Sequence, residues 1–512
     1  MSRSLLRSSA VVGAMTLLSR LTGFARDIVI AHTFGAGAAA DAFFVAFRIP
    51  NLFRRLFAEG SFAQAFVPVL TDYKEHRERH ETQALLDATS GVLGTALLLV
   101  TIAGIAFAPL FILLFAPGFH GATEKYDLAV QMLRITFPYL LFISLAGLIG
   151  SVLNVHGRFG VPAFTPVLLN LSMIGAAIVL APRMHEPVAA LAWGVFAGGV
   201  LQLAFQLPAA LRLGLLPRPR WRPSHPGVRQ IFGLMLPSLF GASVAQINIL
   251  LNTVIASFLV TGSVSWLYYS DRLVELPLGI FSVTLATVIL PQLSARHARD
   301  SMDGFSATLD WALRCAVVVA VPASLALVLL AEPILCTLFQ YGRMTPHDVA
   351  MSALALRPYA LGLIGFTLVK ILSPAFFARK DTRTPVRTGV IAVGANMILS
   401  LILVWPFQHA GLAAASATAS MINAAQLFAR LRRDAIYVPG RGWGALLRQS
   451  AIANLAMAAV LVAGVPDLAA WVGWSAAERA VRLAIWVTAG LAVYMASLWA
   501  AGLRPSQLRA PA

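Results

Sequence analysis

Between Ser19 and Pro68 the chain reads as two strongly apolar helical stretches, yet it carries Arg20, Arg26, Asp27, Asp41, Arg48, Arg54, Arg55 and Glu59. A charged side chain at the centre of a bilayer costs ~2.5–3.5 kcal/mol on insertion scales. Five arginines facing lipid would cost on the order of 10 kcal/mol or more, so these side chains are expected to face protein or water. Asp41, Arg48 and Arg55 are spaced seven apart, and Asn51 and Glu59 fall three or four residues from them. On a helix that spacing makes one polar stripe, flanked by Phe43, Phe44, Phe47 and Phe57. A guanidinium is a planar fork of donors matched to phosphate oxygens, and arginine replaces lysine throughout this set. Asp27 follows Arg26 and Asp271 precedes Arg272 in a second such stretch, where each acid can orient its neighbour. The chemistry implied is recognition of an anionic, phosphate-bearing ligand.

The frame that holds these charges is a membrane protein. The chain has 512 residues, 58% of them hydrophobic and 12% charged, with a mean hydropathy of +0.77. Such a composition belongs to a polytopic all-α membrane protein. The net charge of +17 does not mark a nucleic-acid-binding face, because the basic residues are dispersed among short connections. Fourteen apolar runs of at least ~18 residues can be placed, near 9–33, 39–69, 84–115, 128–155, 162–181, 187–211, 229–259, 264–294, 306–331, 349–377, 386–405, 410–430, 443–465 and 479–503. Alternate connections then hold 24 and 3 Lys and Arg residues, which puts both termini in the cytoplasm by the positive-inside rule. The first run is read as a permanent span, since Arg20 follows it at once and no small-residue cleavage site is apparent.

Short landmarks recur at nearly one offset. The Pro68 and Pro291 contexts are 223 apart, the Pro-Tyr pairs at 138 and 358 are 220 apart, and Pro162 and Pro385 are 223 apart. Spans 1–6 and 7–12 are therefore expected to be parallel copies, with spans 13 and 14 added. The expected divisions are 1–215, 216–433 and 434–512. A pair of six-helix lobes of this kind suits alternating access, with substrate held between them. The offset carries Arg48 to the neighbourhood of Arg272, and it pairs the loops 34–40 and 260–263, which are expected to approach each other. Chemistry of other kinds has little support. There is no GxxxxGK[ST], no nucleophilic triad and no metal-spaced cluster, so the chain is expected to be neither an enzyme nor a cofactor or metal protein. Cys315 and Cys336 are read as core residues, too far apart along a helix to bridge. Arg314, Arg357, Lys370, Arg479 and Arg482 are read as structural.

The stretches 19–27 (SRLTGFARD), 41–60 (DAFFVAFRIPNLFRRLFAEG) and 268–277 (YYSDRLVELP) resemble the MurJ (MviN) family, and the resemblance extends over essentially the whole chain. It implies a lipid II flippase of the MOP exporter superfamily in the bacterial inner membrane. Such a protein carries the undecaprenyl-pyrophosphate-linked disaccharide-pentapeptide from the cytoplasmic to the outer leaflet. The family's cavity arginines match Arg20, Arg26, Arg54 and Arg272, and its cavity acid matches Asp41. Arg48 stands where a lysine can occur in relatives. The resemblance also implies a lipid-tail groove at spans 13 and 14. The partners expected are lipid II and membrane lipids, with the chain acting as a monomer and the cell-wall synthesis machinery as an associate. Two other readings remain open: a flippase for another undecaprenyl-linked oligosaccharide, and a MATE-like small-molecule exporter.

Overall fold

The computed structural model describes residues 3–55, 62–299 and 301–504, with side chains left undescribed at 3–10, 237–245, 247, 282–284 and 287. Glu59 and Phe57, which belong to the expected polar stripe, lie outside the described residues. The secondary structure of the described residues is helical, joined by turns and short coil segments, and they contain no strand. They divide into two compact units, Met1–Val264 and Ser265–Ala512.

The first unit contains α1 (Arg3–Phe34), α2 (Ala38–Arg54), α3 (Phe62–His76), α4 (Arg79–Ala106), α5 (Ala108–Phe115), α6 (Thr123–Thr136), α7 (Tyr139–Val155), α8 (Gly160–Gly175), α9 (Ala189–Arg212) and α10 (Pro226–Ser257). The next helix, α11 (Ser263–Pro277), begins at the division. The second unit continues with α12 (Val283–Ala298), α13 (Met302–Leu329), α14 (Ala331–Phe339), α15 (Pro346–Phe377), α16 (Arg383–Arg433), α17 (Trp443–Gly464), α18 (Leu468–Gly473) and α19 (Ala476–Ala500). Among the described residues, nine helical stretches are long and apolar enough to cross a membrane. The 51 residues of α16 rise ~77 Å, far more than one crossing of a ~30 Å hydrocarbon core. Gln408 breaks that run with non-helical dihedrals (φ 48°, ψ −128°), close to the interruption expected between 405 and 410.

Local sequence explains the boundaries that matter for the site. α1 ends before Gly35, whose φ of +66° is the left-handed conformation that closes a helix. α2 then starts after Gly37, and its first turn carries Asp41. α10 belongs with the first unit because it is hydrogen-bonded into it. Arg48 reaches Thr253, and the Ser257 hydroxyl accepts from the Gly118 N–H at 3.0 Å. α6 begins at Thr123, so Lys125 is not in a loop as the spacing suggested but on a helix, and it is buried.

Two buried carboxylates lie at the same spacing as the recurring sequence landmarks. Asp87 on α4 accepts from the Arg218 N–H at 2.8 Å, and its own carbonyl accepts from the Arg220 N–H at 2.9 Å. Asp310 on α13, 223 positions later, accepts from the Gly440 N–H at 3.0 Å, the Tyr437 hydroxyl at 2.7 Å and the Trp443 indole at 2.6 Å. Asp87 pins the segment that follows α9, and Asp310 the segment that follows α16.

Candidate functional site

Arg26 is the most constrained of the predicted arginines. It is 5% exposed, and its Nε and one terminal nitrogen donate to Asp27 Oδ1 at 3.0 and 2.7 Å. The other terminal nitrogen donates to Asn170 Oδ1 on α8 at 3.0 Å. The Asn170 amide in turn donates to the Ser19 carbonyl at 3.1 Å and the Thr22 hydroxyl at 3.2 Å, so one residue of α8 is bonded to three residues of α1. Asp27 thus orients the arginine beside it, as the sequence suggests. Asn170 was missed. Its signal was a lone amide in an apolar span, which in hydrocarbon needs a partner.

On α2 the charges are not all gathered in one place. Asp41 is 1% exposed and pairs with Lys125 of α6 at 2.8 Å. The same carboxylate oxygen accepts from the Gly262 N–H at 2.8 Å. Gly262 has φ +101°, a left-handed conformation that side-chain-bearing residues rarely adopt. Lys125 also lies over the Phe119 ring, 4.2 Å from its centroid. Thirteen helical residues separate Asp41 from Arg54, a rise of ~20 Å. Asp41 therefore sits at the opposite end of α2 from Arg54 and Arg55.

Arg48 is half-buried and donates to the Thr253 hydroxyl of α10 at 2.6 Å. That hydroxyl gives its own proton to the Ile249 carbonyl at 2.7 Å, leaving its lone pairs to the guanidinium. Arg54 is half-buried too, and its Nε donates to Asn51 Oδ1 at 2.7 Å, one turn back. Phe43 and Phe47 stack with centroids 5.7 Å apart on the buried part of α2. Arg20 is half-buried and Arg55 exposed, and neither side chain makes a hydrogen bond or ion pair among the described residues. Arg272, in the second unit, is half-buried. It bonds Glu275 at 2.7 Å and the Tyr268 hydroxyl at 3.2 Å.

Two kinds of arginine result. Arg26 is a fixed element of a polar network, and its hydrogen bonds to Asp27 and Asn170 tie α1 to α8. Among the described residues nothing engages the guanidinium donors of Arg20 and Arg55, and such donors suit bidentate capture of phosphate oxygens. Among the described residues, no group of three or more His, Cys, Asp or Glu side chains could hold a metal ion.

Comparison with known proteins aligns with this picture. Residues 30–481 match the family model described as "Lipid II flippase MurJ". The protein named "Probable lipid II flippase MurJ" from Vibrio cholerae is 44% identical over 99% of this chain and 98% of its own length. The "Lipid II flippase MurJ" of Burkholderia cenocepacia is 42% identical over 99% of both chains. Among solved structures, one titled "Lipid II flippase MurJ, inward closed conformation" superposes with a TM-score of 0.81 at 25% identity, covering 95% of this chain and 98% of that one. A multidrug resistance MATE transporter of the MOP superfamily, in an inward-facing conformation, shares the fold. Its TM-score is 0.67 at 15% identity, over 83% of this chain and 98% of that chain.

Proposed function

Because the chain belongs to the MurJ family of lipid II flippases, we propose that it moves lipid II from the cytoplasmic to the periplasmic leaflet by alternating access. The pyrophosphate and sugar head is engaged by the arginines, with Arg20, Arg54, Arg55 and Arg272 as direct contacts. Arg26 and Arg48 hold the geometry of the helices that carry them. Asp41 acts at the far end of α2, through Lys125 and Gly262, rather than on the pyrophosphate. Asn51 orients Arg54, and Glu59 lies beside that turn in sequence.

In this reading fourteen crossings form two parallel six-helix halves, 1–215 and 216–433. The last two crossings, within 434–512, take the lipid tail. The protein works as a monomer in the inner membrane, with both termini in the cytoplasm, as the 24-to-3 asymmetry of basic residues supports. The observation that carries the proposal is the set of arginines on α1 and α2 in a chain of this family. An arginine in a span is costly unless it serves a polar ligand or partner. The fold likeness to multidrug exporters brings no substrate with it.

The test is depletion in the native host with leaflet-resolved measurement of lipid II. Loss of this chain should leave lipid II in the inner leaflet, and restoring it should return lipid II to the outer one. Unchanged outer-leaflet lipid II on depletion, with no second flippase present, would refute the proposal.

A further inference from the structure

The connection before α17 builds a basic pocket whose arginines have no part in the proposed binding of the lipid II head. The segment Gly440-Arg441-Gly442 is pressed against α13. A Cβ at Gly440 would fall 2.8 Å from Asp310 Oδ2 and 3.1 Å from an Arg314 nitrogen, so any side chain there would have to displace the Asp310–Arg314 pair. Arg314 is locked in place from two sides. Its Nε donates to Asp310 at 2.6 Å, and one terminal nitrogen donates to the Arg441 carbonyl at 2.8 Å. Its remaining terminal nitrogen makes no hydrogen bond and faces Gly442. The Arg441 side chain is exposed and makes no hydrogen bond or ion pair among the described residues.

Together with Gln449, Leu446 and Leu503, these groups line a cavity of about 290 Å³. Gln449 is itself fixed, donating to the Ala501 carbonyl at 2.9 Å. Gly442 caps α17 without a side-chain hydrogen bond, so the first N–H groups of that helix add positive potential at the same point. The surroundings are those of a membrane interface. Leu447 and Trp499 are exposed, Arg504 lies 4.7 Å from the Trp499 ring centroid, and Arg430, Arg432, Arg433 and Arg448 crowd the same connection.

We propose that the Arg314–Arg441–Gln449 pocket binds the phosphate headgroup of an anionic glycerophospholipid from the arginine-rich leaflet. The two guanidiniums supply charge-assisted donors to the phosphate. The pocket's Leu446 and Leu503, with Leu447 and Trp499 outside it, supply the apolar surface along which the acyl chains run. The guanidiniums of the site, Arg314 and Arg441, have no part in the proposed binding of the lipid II head, although its apolar side lies on the last two crossings, to which the proposed function gives the lipid II tail.

The full-length protein is purified in detergent, and phosphatidylglycerol is titrated in with native mass spectrometry as the readout. Phosphatidylcholine and inorganic phosphate serve as parallel probes. The wild type should retain phosphatidylglycerol in preference to phosphatidylcholine. Arg441→Gln should weaken retention about tenfold. Arg448→Gln, a neighbouring exposed arginine outside the pocket, should leave it unchanged. Equal retention of the two lipids overturns the proposal, as does an Arg441→Gln protein that binds like the wild type. An equal loss in Arg448→Gln also overturns it, in favour of diffuse surface charge. Displacement of phosphatidylglycerol by millimolar inorganic phosphate, with no lipid preference, overturns the lipid assignment in favour of the free ion.

Discussion

Removing the ammonium of Lys125 should be costly, although its partner Asp41 sits at the opposite end of α2 from Arg54. The Lys125 and Asp41 side chains are 8% and 1% exposed and pair at 2.8 Å. Lys125→Met keeps the apolar stem but strands a buried carboxylate whose oxygen was shared with the Gly262 N–H. Breaking a buried pair from one side costs ~3–5 kcal/mol, because the surviving charge has lost its compensation. Replacing both partners, Lys125→Met with Asp41→Asn, removes that stranded charge and should recover much of the loss. The expected coupling is therefore large, at least ~1.5 kcal/mol. Reversible unfolding in mixed micelles, run as a double-mutant cycle, measures it. A Lys125→Met protein destabilised by less than ~1 kcal/mol, with no coupling to Asp41→Asn, would refute the idea that this pair fastens α2, α6 and the Gly262 turn together.

Further outcomes follow from the same geometry. Asn170→Leu should destabilise the protein by ~1–3 kcal/mol, since Arg26 loses an acceptor and the Ser19 carbonyl and Thr22 hydroxyl each lose the donor from α8, and thermal unfolding in detergent reads the loss. Asp310→Ala should free the segment 437–443 from α13, seen as faster proteolysis there while α17 and α19 stay protected. Asp381 accepts hydrogen bonds from Thr384, which outweigh its burial and hold its carboxyl below the ordinary value of 3.8. A depressed folded value means its contribution is complete above the unfolded pKa and is lost as pH falls through the folded one. Asp381→Asn should therefore flatten the acid limb of the stability profile below about pH 4, by a small amount because the group is largely solvated.

Much of this was legible in the sequence, and the reasons are particular. Helix positions follow from long apolar runs bounded by Gly, Pro and Arg, and the break at Gln408 lies where the apolar run pauses. The offset that pairs Gly37 with Gly262 has a structural echo, because Asp41, one turn beyond Gly37, accepts from the Gly262 N–H. Partners were harder to read. Lys125 looked like a loop residue because the run Thr123–Asp127 is polar, yet a buried acid 84 positions away makes that lysine part of the interior. Asn170 and Thr253 are polar side chains in largely apolar helices, and nothing local says which arginine each will meet. Pairing at separations of 144 and 205 residues is set by helix packing, which periodicity does not encode.

The central claim is that the uncommitted arginines of α1 and α2 bind the anionic head of the lipid. Arg26→Ala and Arg272→Ala would also break the ion pairs with Asp27 and Glu275, so loss of activity there mixes binding with structure. Arg20 is cleaner, since it has no protein partner among the described residues. The decisive measurement is outer-leaflet lipid II in a depleted host that carries Arg20→Ala, with membrane levels of the variant matched to wild type. The account predicts at least a tenfold fall in outer-leaflet lipid II, inner-leaflet accumulation, and partial recovery in Arg20→Lys, which restores charge but not the planar fork. Wild-type outer-leaflet lipid II in Arg20→Ala at matched protein levels would contradict it.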